Sequence, residues 1–177
     1  MYDKTPLHRA NFERLVDKQA YDSVLFHRVI QNFMIQTGDL STRTSPASAA
    51  QQGDGETIPA EFVPEYIHKK GALAAARTGD FVNPERRSSP TQFYIVEGQP
   101  FGEADLDAMG ARTGRTYSPE EKEIYQTLGG TPHLDGAYTV FGEVTDGLDV
   151  VETIAHTPTA PGDRPEEDIR ILSIKKH

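Results

Sequence analysis

The segment Tyr21-Asp22-Ser23-Val24-Leu25-Phe26-His27-Arg28-Val29-Ile30-Gln31-Asn32-Phe33-Met34-Ile35-Gln36-Thr37-Gly38-Asp39 holds the most informative pattern in the chain. It opens as a buried strand through Val24, Leu25, Phe26, Val29 and Ile30, yet His27 and Arg28 interrupt the apolar run. A guanidinium left unpaired in such a strand is expensive. Arg28, Phe33, Met34 and Gln36 together bring a cation, two large apolar side chains and a carboxamide within a short span. That set suits a small apolar pocket with a fixed polar rim. On these residues alone two readings stand: a binding pocket, or a core strand whose Arg28 reaches a nearby carboxylate.

Working outward, 177 residues with 36% hydrophobic content fit one domain over residues 1–177. The net charge of −9 excludes a nucleic-acid binder, which needs a basic stripe to displace counterions. Arg86-Arg87 and Lys175-Lys176 read as solvated charges. With no cysteine, disulfides, thiolate catalysis and Cys–zinc sites are excluded. No apolar run reaches the length of a membrane span. Met1–Pro6 lacks a basic and apolar leader, so the expected location is cytoplasmic for the chain as written, or the periplasm or cell envelope if an upstream signal was removed.

Thr5-Pro6 starts a helix over Pro6–Lys18, with Phe12, Leu15 and Val16 on one face. The buried strand follows. Residues 41–60 read as a long polar loop, with a short strand at Ile58–Phe62. Ala72–Arg77 is a run of small residues suited to a strand beneath a groove. A second polar loop, Gly79–Pro90, leads to the strand Gln92–Val96. Residues 98–132 form a helical insertion, with a short helix around Leu106 and Met109. A second helix, Pro119–Leu128, is announced by the capping box Ser118-Pro119-Glu120-Glu121. The turn Leu134-Asp135-Gly136-Ala137 leads into a strand Tyr138–Val144. A helix through Leu148, Val151, Ile154 and Ala155, a Pro/Gly loop Pro158–Pro165 and a last strand Ile169–Ile174 complete the chain. Short strands with two core helices point to a mainly β barrel or sandwich.

Catalytic signatures for acyl or phosphoryl transfer and for dinucleotide binding are absent. The histidines His8, His27, His68, His133, His156 and His177 lack ligand spacing, so no metal site is expected. Asp105-Leu106-Asp107-Ala108-Met109-Gly110 begins like a calcium loop, but Met109 holds a ligand position and Thr116 stands where a bidentate Glu belongs. What survives is a set of apolar and amide side chains with one Arg. It suits gripping an apolar ring and acting on an amide without breaking a bond.

Phe26-His27-Arg28-Val29-Ile30, Phe33-Met34-Ile35-Gln36 and Gly38-Asp39 resemble the signature strand of the cyclophilins, the peptidyl-prolyl cis–trans isomerases. Gly71-Ala72-Leu73-Ala74-Ala75-Ala76, Thr91-Gln92-Phe93-Tyr94-Ile95 and Leu134-Asp135-Gly136 with Thr139-Val140-Phe141-Gly142 agree in order. The resemblance covers nearly the whole chain outside 98–132. It implies a cyclophilin-like closed antiparallel β-barrel with two packing helices, acting on proline-containing peptides and on unfolded or partly folded proteins, with no cofactor. Carried over by position, Arg28 is the catalytic cation, and Gln36 and Gln92 bond the substrate backbone. Phe33, Met34, Phe93, Tyr94 and Leu134 supply or border the proline pocket, and Ala76 lines the groove. Arg77 stands where relatives have an Asn that pairs with the substrate main chain, leaving its backbone to serve. His133 replaces a Trp that helps hold cyclosporin, which argues against binding of that drug. Tyr138 replaces a frequent His at the pocket edge, and Tyr94 a frequent Phe at its floor.

The alternative is a proline-peptide binding module or chaperone with little turnover. Two departures from the family pattern shape the expectations. The first helix begins so early that the N-terminal strand pair of the family is expected to be missing, leaving Ile169–Ile174 an open edge. Insertion 98–132 either extends or gates the groove, or is a surface elaboration, the reading its loop position favours.

Overall fold

Side chains alternate between the two faces of a strand, and that period sorts this sheet into two chemically different surfaces. The structure, a computed structural model, describes residues 1–44 and 55–176. The middle of the loop expected over 41–60, residues 45–54, and His177 lie outside the described residues. The strands are β1 (Arg28–Ile30), β2 (Met34–Thr37), β3 (Ala72–Ala75), β4 (Phe93–Val96) and β5 (Val140–Glu143). They form one antiparallel sheet in the order β1-β2-β4-β3-β5.

One face carries Leu73, Ala75, Phe93 and Phe141, which pack on Phe12, Leu15 and Val16 of α1 (Pro6–Asp17). On the same side Val29, Ile35 and Ile95 meet Val151, Ile154 and Ala155 of α4 (Leu148–Ala155). The opposite face carries Met34, Ala72, Ala74, Tyr94, Val96 and Val140. Alanines along β3 follow from this arrangement: three residues of that strand are small, so neighbouring backbone and rings approach closely.

Several expected elements are shortened. The strand read from Val24 enters the ladder only at Arg28, because Val24–Phe26 turns to the C-terminal segment instead. There Ser23 N–H donates to Ile171 O (2.8 Å), Phe26 N–H to Ile169 O (2.9 Å) and Ile171 N–H to Val24 O (2.9 Å). The expected last strand is thus a single Leu25/Arg170 bridge with flanking bonds. Ile58–Phe62 likewise reduces to one bridge, Ile58/Ser88. Among the described residues no ladder joins β5 to β1. The Pro/Gly loop instead holds a small hairpin, β6 (Thr159–Ala160) and β7 (Arg164–Pro165).

Thr5 occupies the N-cap of α1 without a side-chain cap bond. The exposed amides are met from far along the chain: Glu61 accepts from Leu7 N–H (3.1 Å) and His8 N–H (3.0 Å). A carboxylate at a helix N-terminus satisfies donors and the macrodipole together. Among the described residues no helix is long and apolar enough to cross a membrane.

The insertion folds as expected in outline. The helix α2 runs further than read, Glu103–Thr113, and α3 spans Pro119–Thr127. The α3 capping box is complete: Ser118 Oγ accepts from Glu121 N–H, and Glu121 Oε2 accepts from Ser118 N–H at 2.8 Å. Leu106, Tyr117 and Tyr125 make its core with Ile67. Gly130 lets it dock: a Cβ there would lie 2.3 Å from His68 O, and its φ is +156°.

Candidate active site

Register places the polar groups. Arg28 pairs with Gln36, Gln36 with Tyr94, Tyr94 with Ala74, and Ala74 with Val140, so these five form one row across the sheet. Adjacent members of such a row have Cβ atoms about 4.5–5.5 Å apart. A cation, a carboxamide and a phenol ring therefore stand side by side on the alanine-bearing face. Met34 and Val96 are paired in the next row. Met34, Tyr94 and Ala76 are buried in one cluster, the floor of the candidate site, and the part-exposed Phe33, Leu134 and Tyr138 pack against it as a candidate rim. His133 extends the rim by stacking on Phe33, with ring centroids 5.6 Å apart.

Arg28 is half-exposed, its side chain 43% accessible, and its Nε donates to Asp163 Oδ2 at 3.2 Å. The apparent cost of a buried cation does not arise, since the strand is at the sheet edge. Asp163 comes from the β6–β7 turn, which β1 holds through Val29 N–H to Asp163 O at 2.7 Å. Its φ of +62° is a left-handed conformation that Asp tolerates better than most residues. Arg28 thus reaches a carboxylate, as one of its two readings held, and it stands in one row with Gln36 and Tyr94. Gln36 Nε2 donates to Gln92 Oε1 at 3.0 Å, which fixes the two carboxamides against each other.

One expected pocket residue stands apart, and the Arg77 side chain, set aside in the sequence in favour of its backbone, is engaged elsewhere. Phe93 is turned to the opposite face, into the core with Phe12 and Tyr21, because it is one residue out of phase with Tyr94. The Arg77 side chain does not reach into a groove. It folds back, donating from Nε to Ala137 O (2.8 Å), pairing with Asp80 (2.7 Å) and lying 4.3 Å over the Tyr138 ring. In that position it braces Tyr138.

Beneath the floor lies a polar chain that the sequence did not reveal. Tyr94 Oη is 3.0 Å from His68 Nε2, and His68 Nδ1 is 2.9 Å from Asp135 Oδ1. Asp135 Oδ1 also accepts from His68 N–H (2.8 Å), and its Oδ2 accepts from Tyr125 Oη (2.7 Å). The carboxylate settles the tautomer: Nδ1 carries the proton, so Nε2 accepts from the Tyr94 hydroxyl. His68 and Asp135 side chains are fully buried, 0% and 1% accessible. Burial holds the Tyr94 and Tyr125 hydroxyls far above the ordinary phenol range, so both stay protonated donors. Partial desolvation likewise lowers the pKa of His133. Asp163, His68 and Asp135 carried no local sign, since their partners lie far away in sequence or in a turn read only as a turn.

The sequence model of the family described as "Cyclophilin type peptidyl-prolyl cis-trans isomerase/CLD" matches residues 1–176. A Staphylococcus saprophyticus protein named "Putative peptidyl-prolyl cis-trans isomerase" is 36% identical over 176 residues, covering 98% of this chain and 82% of that protein. A Streptococcus pyogenes protein named "Putative bifunctional phosphatase/peptidyl-prolyl cis-trans isomerase" is 35% identical over 177 residues, 98% of this chain. The chain spans only 34% of that longer relative. A Cryptosporidium parvum cyclophilin type peptidyl-prolyl cis-trans isomerase, crystallised in the presence of the dipeptide Ala-Pro, shares the fold. Its TM-score is 0.67 at 23% identity, covering 98% of this chain and 87% of that one. With the family model matched from end to end of the described chain, and a fold to go with it, the protein belongs to the cyclophilin-type peptidyl-prolyl cis–trans isomerases.

Proposed function

We propose that the chain rotates X–Pro peptide bonds in proline-containing peptides and in unfolded or partly folded proteins, with Arg28 as the catalytic cation. The observation that carries this reading is the row Arg28–Gln36–Tyr94 beside the apolar floor and rim. The X–Pro bond has a rotation barrier of about 18–20 kcal/mol and exchanges over tens to hundreds of seconds unaided. Twisting it removes amide resonance and leaves a lone pair on the prolyl nitrogen. A fixed donor aimed at that lone pair favours the twisted state over either planar one, which is the condition for catalysis. Asp163 engages Nε, and the terminal amino groups of Arg28 make no hydrogen bond among the described residues. Phe33, Met34, Tyr94 and Leu134 hold the proline ring while the chain preceding it turns. Gln36 and Gln92 meet the substrate backbone.

The Arg28–Asp163 pair also favours a second reading, a proline-peptide binding module or chaperone with little turnover, because a guanidinium already paired has less to offer a lone pair. NMR exchange spectroscopy on an Ala-Pro peptide separates them. The isomerase reading expects exchange to be enhanced by the protein and the enhancement to fall about 100-fold or more in Arg28→Ala. Peptide binding persists in that variant. Binding by the parent without faster exchange would establish the second reading.

A further inference from the structure

The buried chain Tyr94–His68–Asp135–Tyr125 links the floor of the pocket to α3 of the insertion. Its far end is anchored rather than loose. Tyr125 is fully buried with Leu106 and Tyr117, and Arg115 Nε lies 3.8 Å from Asp135 Oδ2. Arg115 is itself held by Glu121 at 2.6 Å. The near end touches two walls of the pocket. Tyr94 is gripped by its hydroxyl, and Leu134 is bonded directly to Asp135 through the main chain. Leu134 O also accepts from Tyr138 N–H, at 3.3 Å.

We infer that the insertion is a positioning element for the proline pocket, with Tyr125, Asp135 and His68 acting as positioning residues that set where Tyr94 and Leu134 stand. This rests on the peptide-binding part of the reading above, not on turnover. Each member of the chain has a fixed role in direction. Tyr125 donates to Asp135, Asp135 holds His68 by one bond to its imidazole and one to its backbone N–H, and the imidazole accepts from Tyr94. A buried polar network satisfied at each step holds one arrangement. A phenol at the floor is therefore no simple stand-in for a benzyl ring. Its hydroxyl ties the depth of the pocket to a helix outside the sheet.

The test is a double-mutant cycle of Tyr125→Phe and Tyr94→Phe, read as Kd for an Ala-Pro peptide by NMR titration and as exchange rate at saturating peptide. Tyr125→Phe keeps the ring and removes only the bond to Asp135. It is expected to raise Kd about threefold or more while leaving the saturated exchange rate unchanged, since Arg28 is untouched. In the Tyr94→Phe background the same substitution is expected to change Kd less than about 1.5-fold, because residues acting through one network are not additive. A Kd unchanged by Tyr125→Phe, or equal effects in both backgrounds, overturns the inference, whatever happens to melting temperature. If Tyr125→Phe does not fold, Arg115→Gln is carried through the same cycle and decides by the same criteria. A parent that binds peptide without accelerating exchange removes the isomerase reading and leaves this test intact. A parent that does not bind at all removes both.

Discussion

Arg28 shows how one side chain can be structural and chemical at once. Its pairing with Asp163 joins two half-exposed groups, 43% and 45% accessible, and pairs of that kind contribute about 0–1 kcal/mol to stability. The pair is therefore better understood as orienting the guanidinium than as holding the fold. Asp163→Asn tests this cleanly, since Asn also tolerates the left-handed backbone at that position. The expected outcome is an exchange enhancement lowered roughly tenfold, from a less well-aimed donor, with the urea midpoint essentially unchanged. An enhancement that rises instead would show that Asp163 restrains the cation. At the rim, Arg77 illustrates the opposite case. Its cation, which the sequence already set aside in favour of the backbone, is engaged by Ala137 O, Asp80 and the Tyr138 ring.

Among the elements, α3 is the one whose sequence and structure agree most closely. Pro119 supplies the first helical position, Ser118 and Glu121 close the capping box, and Tyr125 reaches the interior one turn on. Removing the cap by Ser118→Ala should cost about 1 kcal/mol, within the range of roughly 0.5–2 for such substitutions. Hydrogen exchange is expected to show the loss first in α2 and α3, because the insertion has its own cluster of Leu106, Tyr117 and Tyr125 separate from the sheet. Equal loss of protection in β2 and β4 would mean that the insertion and the sheet open as one unit. The β6–β7 hairpin is the counterexample: two strands of two residues each, with no hydrophobic pattern, placed by the turn at Asp163 and the bond to Val29.

For the whole molecule, the distribution of buried histidines sets an acid limit. His8 and His27 have lowered pKa values, with burial the largest cause for each. The folded state then binds fewer protons than the unfolded one. Stability conferred by the neutral rings is present above the unfolded value, about 6.5, and is lost as pH falls through the lower folded values. Melting temperature is therefore expected to be flat above about pH 7 and to decline as pH falls below about 6.5. Asp80 and Asp168, whose pKa values are lowered by neighbouring arginines, titrate below that window and do not confuse it. A flat profile across the window would show that burial of these rings carries no proton linkage.

Hydrophobic runs and punctuation, read along the chain, were enough to determine strands at Val29–Ile30, Phe93–Val96 and Val140–Glu143 and the capped helix α3. These are local properties: they depend on a two-residue or 3.6-residue period and on caps a few residues away. Resemblance then named the pocket, and Phe93 shows its limit, since a residue adjacent to the site in sequence points to the opposite core. The remaining features come from the folded chain. The register that sets Arg28 beside Gln36 and Gln36 beside Tyr94, the carboxylate of Asp163 on Arg28, and the run from Tyr125 to Tyr94 all join segments distant in the chain. Such pairings follow from how loops close and faces pack, and a hydrogen bond between distant residues leaves no period in the sequence to read.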